Sequence, residues 1–337
     1  MPEPIINGGL LPSPPRQKDY IAGAVTGVPD DMILPGGDWR PYRSEPHEMQ
    51  LRYGRDFLTC TDFAATDTVE ALMFKLFGTR VNYSDRALAI MSGLTPTGNS
   101  LWAVAEAIRT KGLVLESTLP WTAAQDTHDK FMAVTPEEKA ACDADGAKWL
   151  VENEFGWEWV YDDFGRGMRW ALERSPLFAA GLYAAEASKD ADGIYHTDLP
   201  NSPMTTHAFV LLNQTPDAIK DIDDSYATQV KRLASDFRVP IGMRFHIAKK
   251  QPNQPPMYYP PKNSKVVVID AGERLMYVGG ETIYKDDTGK IQSEVQDRNS
   301  KEVPGAAYRL AGEYPVVHVN ASQIAHLKRV NLKGEPA

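Results

Sequence analysis

From Thr61 to Phe77 apolar residues recur at Ala65, Val69, Leu72 and Leu76, spacings of four, three and four that line one face of a helix. Thr59 and Asp62 stand in the relation of a capping box, which opens this helix and puts Cys60 in its first turn; Gly78 offers a stop. A second helix follows "TPTGNS", with Leu101, Val104, Ala105 and Ile108 on one face and Gly112 at its end. "TPEEKAACDADGAKWLVEN" opens with Thr135, Pro136 and Glu138, a cap, a first-turn proline and a capping-box acid. It predicts a third helix in which Cys142 is a small packing residue. After Pro176 the period changes, and "PLFAAGLYA", "HAFVLLNQ" and "RVPIGMRFHIA" read as strands between turn-rich segments.

Two stretches interrupt this order. Residues 1–33 are rich in Pro and Gly and read as an extended arm lying on something else. The prolines of "QPNQPPMYYPPKNSK" cannot pair inside a sheet and mark a linker. Beyond it "VVVIDA", "RLMYVGG", "TIYKDDTGKIQ" and "YPVVHVN" predict a β-rich extension with a hairpin near Asp287–Gly289. The plan is an arm over 1–33, a main domain over 34–250 and a linker with its extension over 251–337. The main domain divides into a helical lobe at about 55–160 and a β lobe at about 165–250, an α+β protein.

Composition narrows the function. An apolar fraction of 42% fits a globular core. Forty-five acidic against 36 basic residues leave a net charge of −9, which gives no electrostatic reason for a nucleic-acid partner or an anionic membrane. No run of about 18 apolar residues spans a bilayer, and the start lacks a signal sequence, so the chain is expected to be cytoplasmic when made. Two cysteines make no disulfide framework, and the seven scattered His, with no C-x-x-C or H-E-x-x-H, suggest neither a metal nor another cofactor.

Taken singly, the reactive residues have plain readings. Cys60 could be a small buried hydrophobe, His207 a strand-end histidine, Asp224 a turn acid and Gln50 a loop amide. Their order says more. "LPGGDWR" (34–40), "CTDFAATDTVEA" (60–71), "THAFVLL" (206–212) and "DSY" (224–226) together resemble the start, the cysteine helix, the histidine strand and the Asn-Ser-Trp segment of papain-like cysteine peptidases. The spacing from His207 to Asp224, 224 − 207 = 17 residues, suits that family's return. "NSLWAVAEAIRTKGLVLESTLPW" is similar to its segment joining the lobes. The resemblance spans roughly residues 15–240. In its Cys-Thr-x-Phe and Asp-Ser-Tyr the chain resembles the divergent members found in tailed-phage and bacterial genomes.

The resemblance implies a papain-like two-lobe fold, a helical lobe carrying Cys60 and an antiparallel β lobe carrying His207. It implies Cys60 as nucleophile, His207 as acid and base, Asp224 as its orienter and Gln50 as an oxyanion donor, across a loop longer than the family's. Asp224 in place of Asn adds a charge that favours protonated His207 and moves the active pH window upward. Asp223 is a rival for Asp224, and His318 for His207. Thr61 and Leu58 depart from the family's signature around the cysteine. Only 33 residues precede "LPGGDWR", so no cleaved pro-domain is expected.

Two functions follow. One is a thiol hydrolase acting on peptide or protein, peptidoglycan peptides included. The other is a weak or inactive papain-like scaffold in a virion or tail, bound to its assembly through the arm and the extension.

Overall fold

The computed structural model describes residues 9–11, 33–161, 166–181, 188–196 and 205–250, together with seven strands between 264 and 331. Its helices are α1 (Cys60–Phe77), α2 (Asp85–Ser92), α3 (Leu101–Lys111), α4 (His128–Met132), α5 (Pro136–Glu152) and α6 (Arg166–Leu172). The main sheet is built from β1 (Asn153–Tyr161), β2 (Leu177–Gly181), β3 (Ser188–Lys189), β4 (Ile194–His196), β5 (His207–Gln214), β6 (Lys220–Asp223), β7 (Lys231–Leu233) and β8 (Ile241–Lys249).

The two-lobe division expected from the sequence is present: helices α1–α5 come first and an antiparallel sheet follows. The sheet order is β1-β8-β2-β5-β6-β7-β4-β3. Its β4–β7 pair runs parallel. The interruption between α5 and the sheet is shorter than the pattern suggested, because residues 153–161 already pair with β8.

α1 is the central element, packed against β5, β2 and β8 on one side and α2 and α3 on the other. From Cys60 to Met73 every residue is buried, so this helix is not one-sided. A helix covered all round needs partners for its polar residues, and α1 has them. Thr68 Oγ1 donates to the Ala64 carbonyl at 2.6 Å, and Glu70 accepts from Ser44 Oγ and from the Tyr83 amide. Burial also undoes the expected cap. Thr59 makes no side-chain cap hydrogen bond, while Asp62 accepts from Ser92 Oγ at 3.0 Å and from Thr61 Oγ1 at 3.3 Å. Desolvation outweighs those bonds and pushes the Asp62 carboxyl up to about 7.

The third predicted helix keeps its capping box at Thr135 and Glu138 and runs unbroken to Glu152. The start of the main domain is pinned by Trp39, fully buried, whose Nε1 donates to the Leu172 carbonyl at 2.5 Å.

The extension contains β9 (Ser264–Val268), β10 (Glu273–Tyr277), β11 (Glu281–Lys285), β12 (Ile291–Val295), β13 (Lys301–Glu302), β14 (Val316–Asn320) and β15 (Leu327–Asn331). They form a three-stranded sheet, β13-β10-β15, and the pairs β11-β12 and β14-β9. β11 and β12 are the arms of the expected hairpin, ending at Lys285 opposite Ile291. Its turn, the Pro-rich linker and most of the arm lie outside the described residues. Among the described residues no helix is long and apolar enough to cross a membrane.

Candidate active site

Cys60 is the first residue of α1 and is fully buried. The chain reaches it through a strained turn: Leu58 has φ of 58°, in the left-handed region. Asp56 holds that turn, accepting the Leu58 amide at 2.7 Å. Cys60 thus stands at the N-terminal, positive end of the α1 dipole.

His207 opens β5, opposite Gly181 of β2. Its Nε2 bonds Asp224 Oδ1 at 3.0 Å, and both side chains are all but sealed from solvent. Burial opposes charge on the imidazole, yet Asp224, and after it Cys60, outweigh burial through charge and hydrogen bonding. They push His207 up to about 10. The same partnership holds the Asp224 carboxyl well below the usual range against its own burial, with Lys231 adding to the effect. The Tyr226 ring lies over the pair, its centroid 5.1 Å from that of His207.

Sequence reasoning did not single out Lys231. Its Nζ sits on Asp224 Oδ2, leaving Oδ1 to accept from His207 and from the Tyr226 amide at 3.0 Å. The extra charge of Asp over Asn is thus shared between two cations. The signal available in the sequence was a lysine on the strand after "DSY", which is weak, because a strand lysine is ordinarily solvated.

These contacts fix a pH prediction. A raised His207 stays protonated until the pH approaches about 10, so thiol reactivity that depends on the imidazolium should decline only on that alkaline side. Asp224→Asn removes the largest favourable cause and should lower the alkaline limb by about one pH unit or more. Lys231→Met removes only the competing cation and should not lower it. Alkylation rates of Cys60 from pH 5 to 11 measure both.

Gln50 is completely buried. Its Nε2 donates to Asp56 Oδ1 and to Tyr226 Oη, each at 2.8 Å, while its Oε1 accepts from Ser225 Oγ at 2.8 Å. Its backbone amide donates to the Ser225 carbonyl at 2.8 Å. Both amide hydrogens are therefore engaged, and an oxyanion would have to displace one of these acceptors. The bonds join the loop before Cys60 to the turn after Asp224.

The two rivals stand elsewhere. Asp223, the last residue of β6, accepts from Arg43 Nε at 2.7 Å. His318 lies on β14, opposite Val266 of β9.

Part of the arm sits beside this site. The Asn99 amide donates to the Gly9 carbonyl at 2.8 Å and the Leu11 amide to the Asn99 carbonyl at 2.7 Å, a parallel bridge centred on Leu10. Gly9 lies against Leu58, two residues before the cysteine. With φ of 96° and a Cβ position only 2.3 Å from the Leu58 carbonyl oxygen, it admits no side chain. Leu10 belongs to the same apolar cluster as Cys60.

No protein-family model matches the chain, and no curated protein sequence matches it. Solved structures do. The chain is similar to the bromelain protease of Ananas comosus, at 18% identity over 63% of this chain and 96% of that one, with a TM-score of 0.43. It is similar to a ragweed pollen allergen cysteine protease in its proform, at 15% identity over 68% and 73%, TM-score 0.45. It is also similar to a digestive procathepsin L of Tenebrio molitor larvae, at 13% identity over 67% and 75%, TM-score 0.43. Likenesses of this depth leave the chemistry to be argued from the side chains.

Proposed function

We propose that the chain is a thiol hydrolase cleaving peptide or amide bonds, with Cys60, His207 and Asp224 as its catalytic group. The observation that carries this reading is the sealed His207–Asp224 pair, whose imidazole is raised by Cys60 as well as by Asp224. A buried His held protonated beside a cysteine is the partner a thiolate needs.

The Cys60 sulfur attacks the substrate carbonyl carbon, a C–S bond forms, and the carbonyl oxygen becomes negative. The Cys60 amide and Gln50, once it releases one of its present acceptors, donate to that oxygen. The tetrahedral carbon then expels the amine, whose nitrogen takes the proton from His207. Water attacks the thioester while His207 takes its proton; the C–S bond breaks and the acid leaves. Asp224 keeps the imidazole oriented throughout.

The substrate class proposed is peptide or protein, peptidoglycan peptides included. For the setting we propose synthesis in the cytoplasm and incorporation in a phage particle, on the Cys-Thr-x-Phe and Asp-Ser-Tyr resemblance, with the arm and the extension as assembly contacts. One observation favours the scaffold reading: Cys60 is 0% and His207 1% exposed, with Gly9–Leu11 packed alongside.

Labelling with an irreversible thiol-reactive peptidase inhibitor separates the two. The hydrolase reading expects fast labelling that Cys60→Ala abolishes, in the full chain or at least in a variant lacking residues 1–11. Labelling no faster than an ordinary free thiol in both forms would leave the scaffold.

A further inference from the structure

The sequence contains no metal-ligand spacing, yet the fold assembles three donors behind the candidate active site. His47 lies in the segment ahead of α1, Asp67 on α1 two turns beyond Cys60, and Asp223 at the end of β6. A His47 ring nitrogen and a carboxylate oxygen from each acid lie within 4.8 Å of one another.

The hydrogen bonds around these donors make the arrangement specific. His47 Nε2 meets the Ala227 carbonyl at 2.6 Å. A carbonyl only accepts, so Nε2 carries a proton and Nδ1 is the ring nitrogen left to ligate. That nitrogen lies 3.5 Å from Asp223 Oδ1, on a side chain only 1% exposed. Neither atom has a hydrogen-bond partner, although both are buried. Arg43 covers the other oxygen of Asp223, not this one. Asp67, itself buried, brings a second carboxyl oxygen into the group.

We propose that His47, Asp67 and Asp223 bind a first-row divalent cation of the zinc class. One imidazole nitrogen with two carboxylate oxygens is a donor set such ions take, whereas calcium and magnesium favour oxygen alone. Donors about 2.1 Å from a tetrahedral ion stand roughly 3.4 Å apart, close to the 3.5 Å between His47 and Asp223. Water completes the coordination. The ion joins three parts of the chain: the segment before α1, α1 itself and the β6 edge next to Asp224.

Cobalt(II) is the probe, added to untagged, chelator-stripped full chain. The expected result is one equivalent bound, visible d–d bands, and no near-ultraviolet thiolate charge-transfer band, all unchanged in Cys60→Ala. His47→Gln and Asp67→Asn should each weaken binding about a hundredfold, with circular dichroism confirming that they fold. X-ray absorption on the wild-type complex, which needs no variant, should find imidazole and oxygen donors without sulfur. Absence of stoichiometric binding would overturn the proposal. So would a sulfur donor lost in Cys60→Ala, or binding indifferent to both substitutions in folded protein.

Discussion

His207→Ala is expected to slow inhibitor labelling of Cys60 by about 10²- to 10⁴-fold near neutral pH and to remove any peptide hydrolysis with it. The substitution takes away a cation raised to about 10, and so fully charged at pH 7, that both partners address. The loss should read as a chemical effect and not as unfolding. Asp224 keeps Lys231 on its second oxygen and the Tyr226 amide on its first, so no unpaired buried carboxylate is left behind. Stability should nevertheless lose its pH dependence there. A histidine raised from 6.5 to about 10 contributes stability fully present below 6.5 and lost as the pH climbs through about 10. His207→Ala should flatten that alkaline decline in thermal midpoint. A variant labelled within threefold of wild type would sink the catalytic assignment.

The second large effect is on folding. Glu158 on β1 and Arg244 on β8 stand opposite one another, both sealed in the sheet, with Arg244 Nη2 donating to Glu158 Oε2 at 2.5 Å and Nε at 3.0 Å. His246 Nε2 lies 3.2 Å from the same oxygen. Arg244→Met should destabilise the protein by about 3–5 kcal/mol, since it strands a carboxylate in the interior. The paired change Glu158→Leu with Arg244→Met removes both charges and should recover most of that loss. Burial pushes Glu158 up, but Arg244 and then His246 prevail and bring it down to about 2. A depressed carboxyl contributes stability that is present above its unfolded value near 4.5 and lost as the pH falls toward 2. Urea unfolding at pH 7 and at pH 3 measures both claims; equal losses in the single and double variants would refute the pairing.

The parts legible in the sequence were those that local rules govern. Thr135 and Glu138 cap α5 because that helix start is exposed, where the local bonds have no competitors. Thr59 and Asp62 repeat the spacing, with Asp for Glu, and form no cap, because α1 begins inside the protein and Ser92 donates to Asp62 instead. β5 was readable as an unbroken apolar run. β1 was not, though Phe155, Trp157 and Trp159 alternate along it: it follows α5 without a turn residue, and its polar Glu158 points at Arg244, a partner far away in sequence. The site divides similarly. Cys60, His207 and Asp224 were reachable through ordered resemblance. Lys231 and the bonds that occupy Gln50 depend on where β7 and the Ser225–Tyr226 turn come to rest, which no spacing encodes.

The bridge between Gly9–Leu11 and Asn99 has a kinetic consequence. An extended peptide that paired with Asn99 would need the same N–H and the same carbonyl that the arm already uses. On the hydrolase reading proposed above, Gly9–Leu11 takes up an edge that such a peptide would use, and a segment of the same chain acts at an effective concentration on the order of millimolar. Dilution does not release it. On that reading, short peptides at micromolar concentration would compete poorly and would be turned over slowly. Longer ligands, with more main-chain pairs to offer, would be the ones to win the edge.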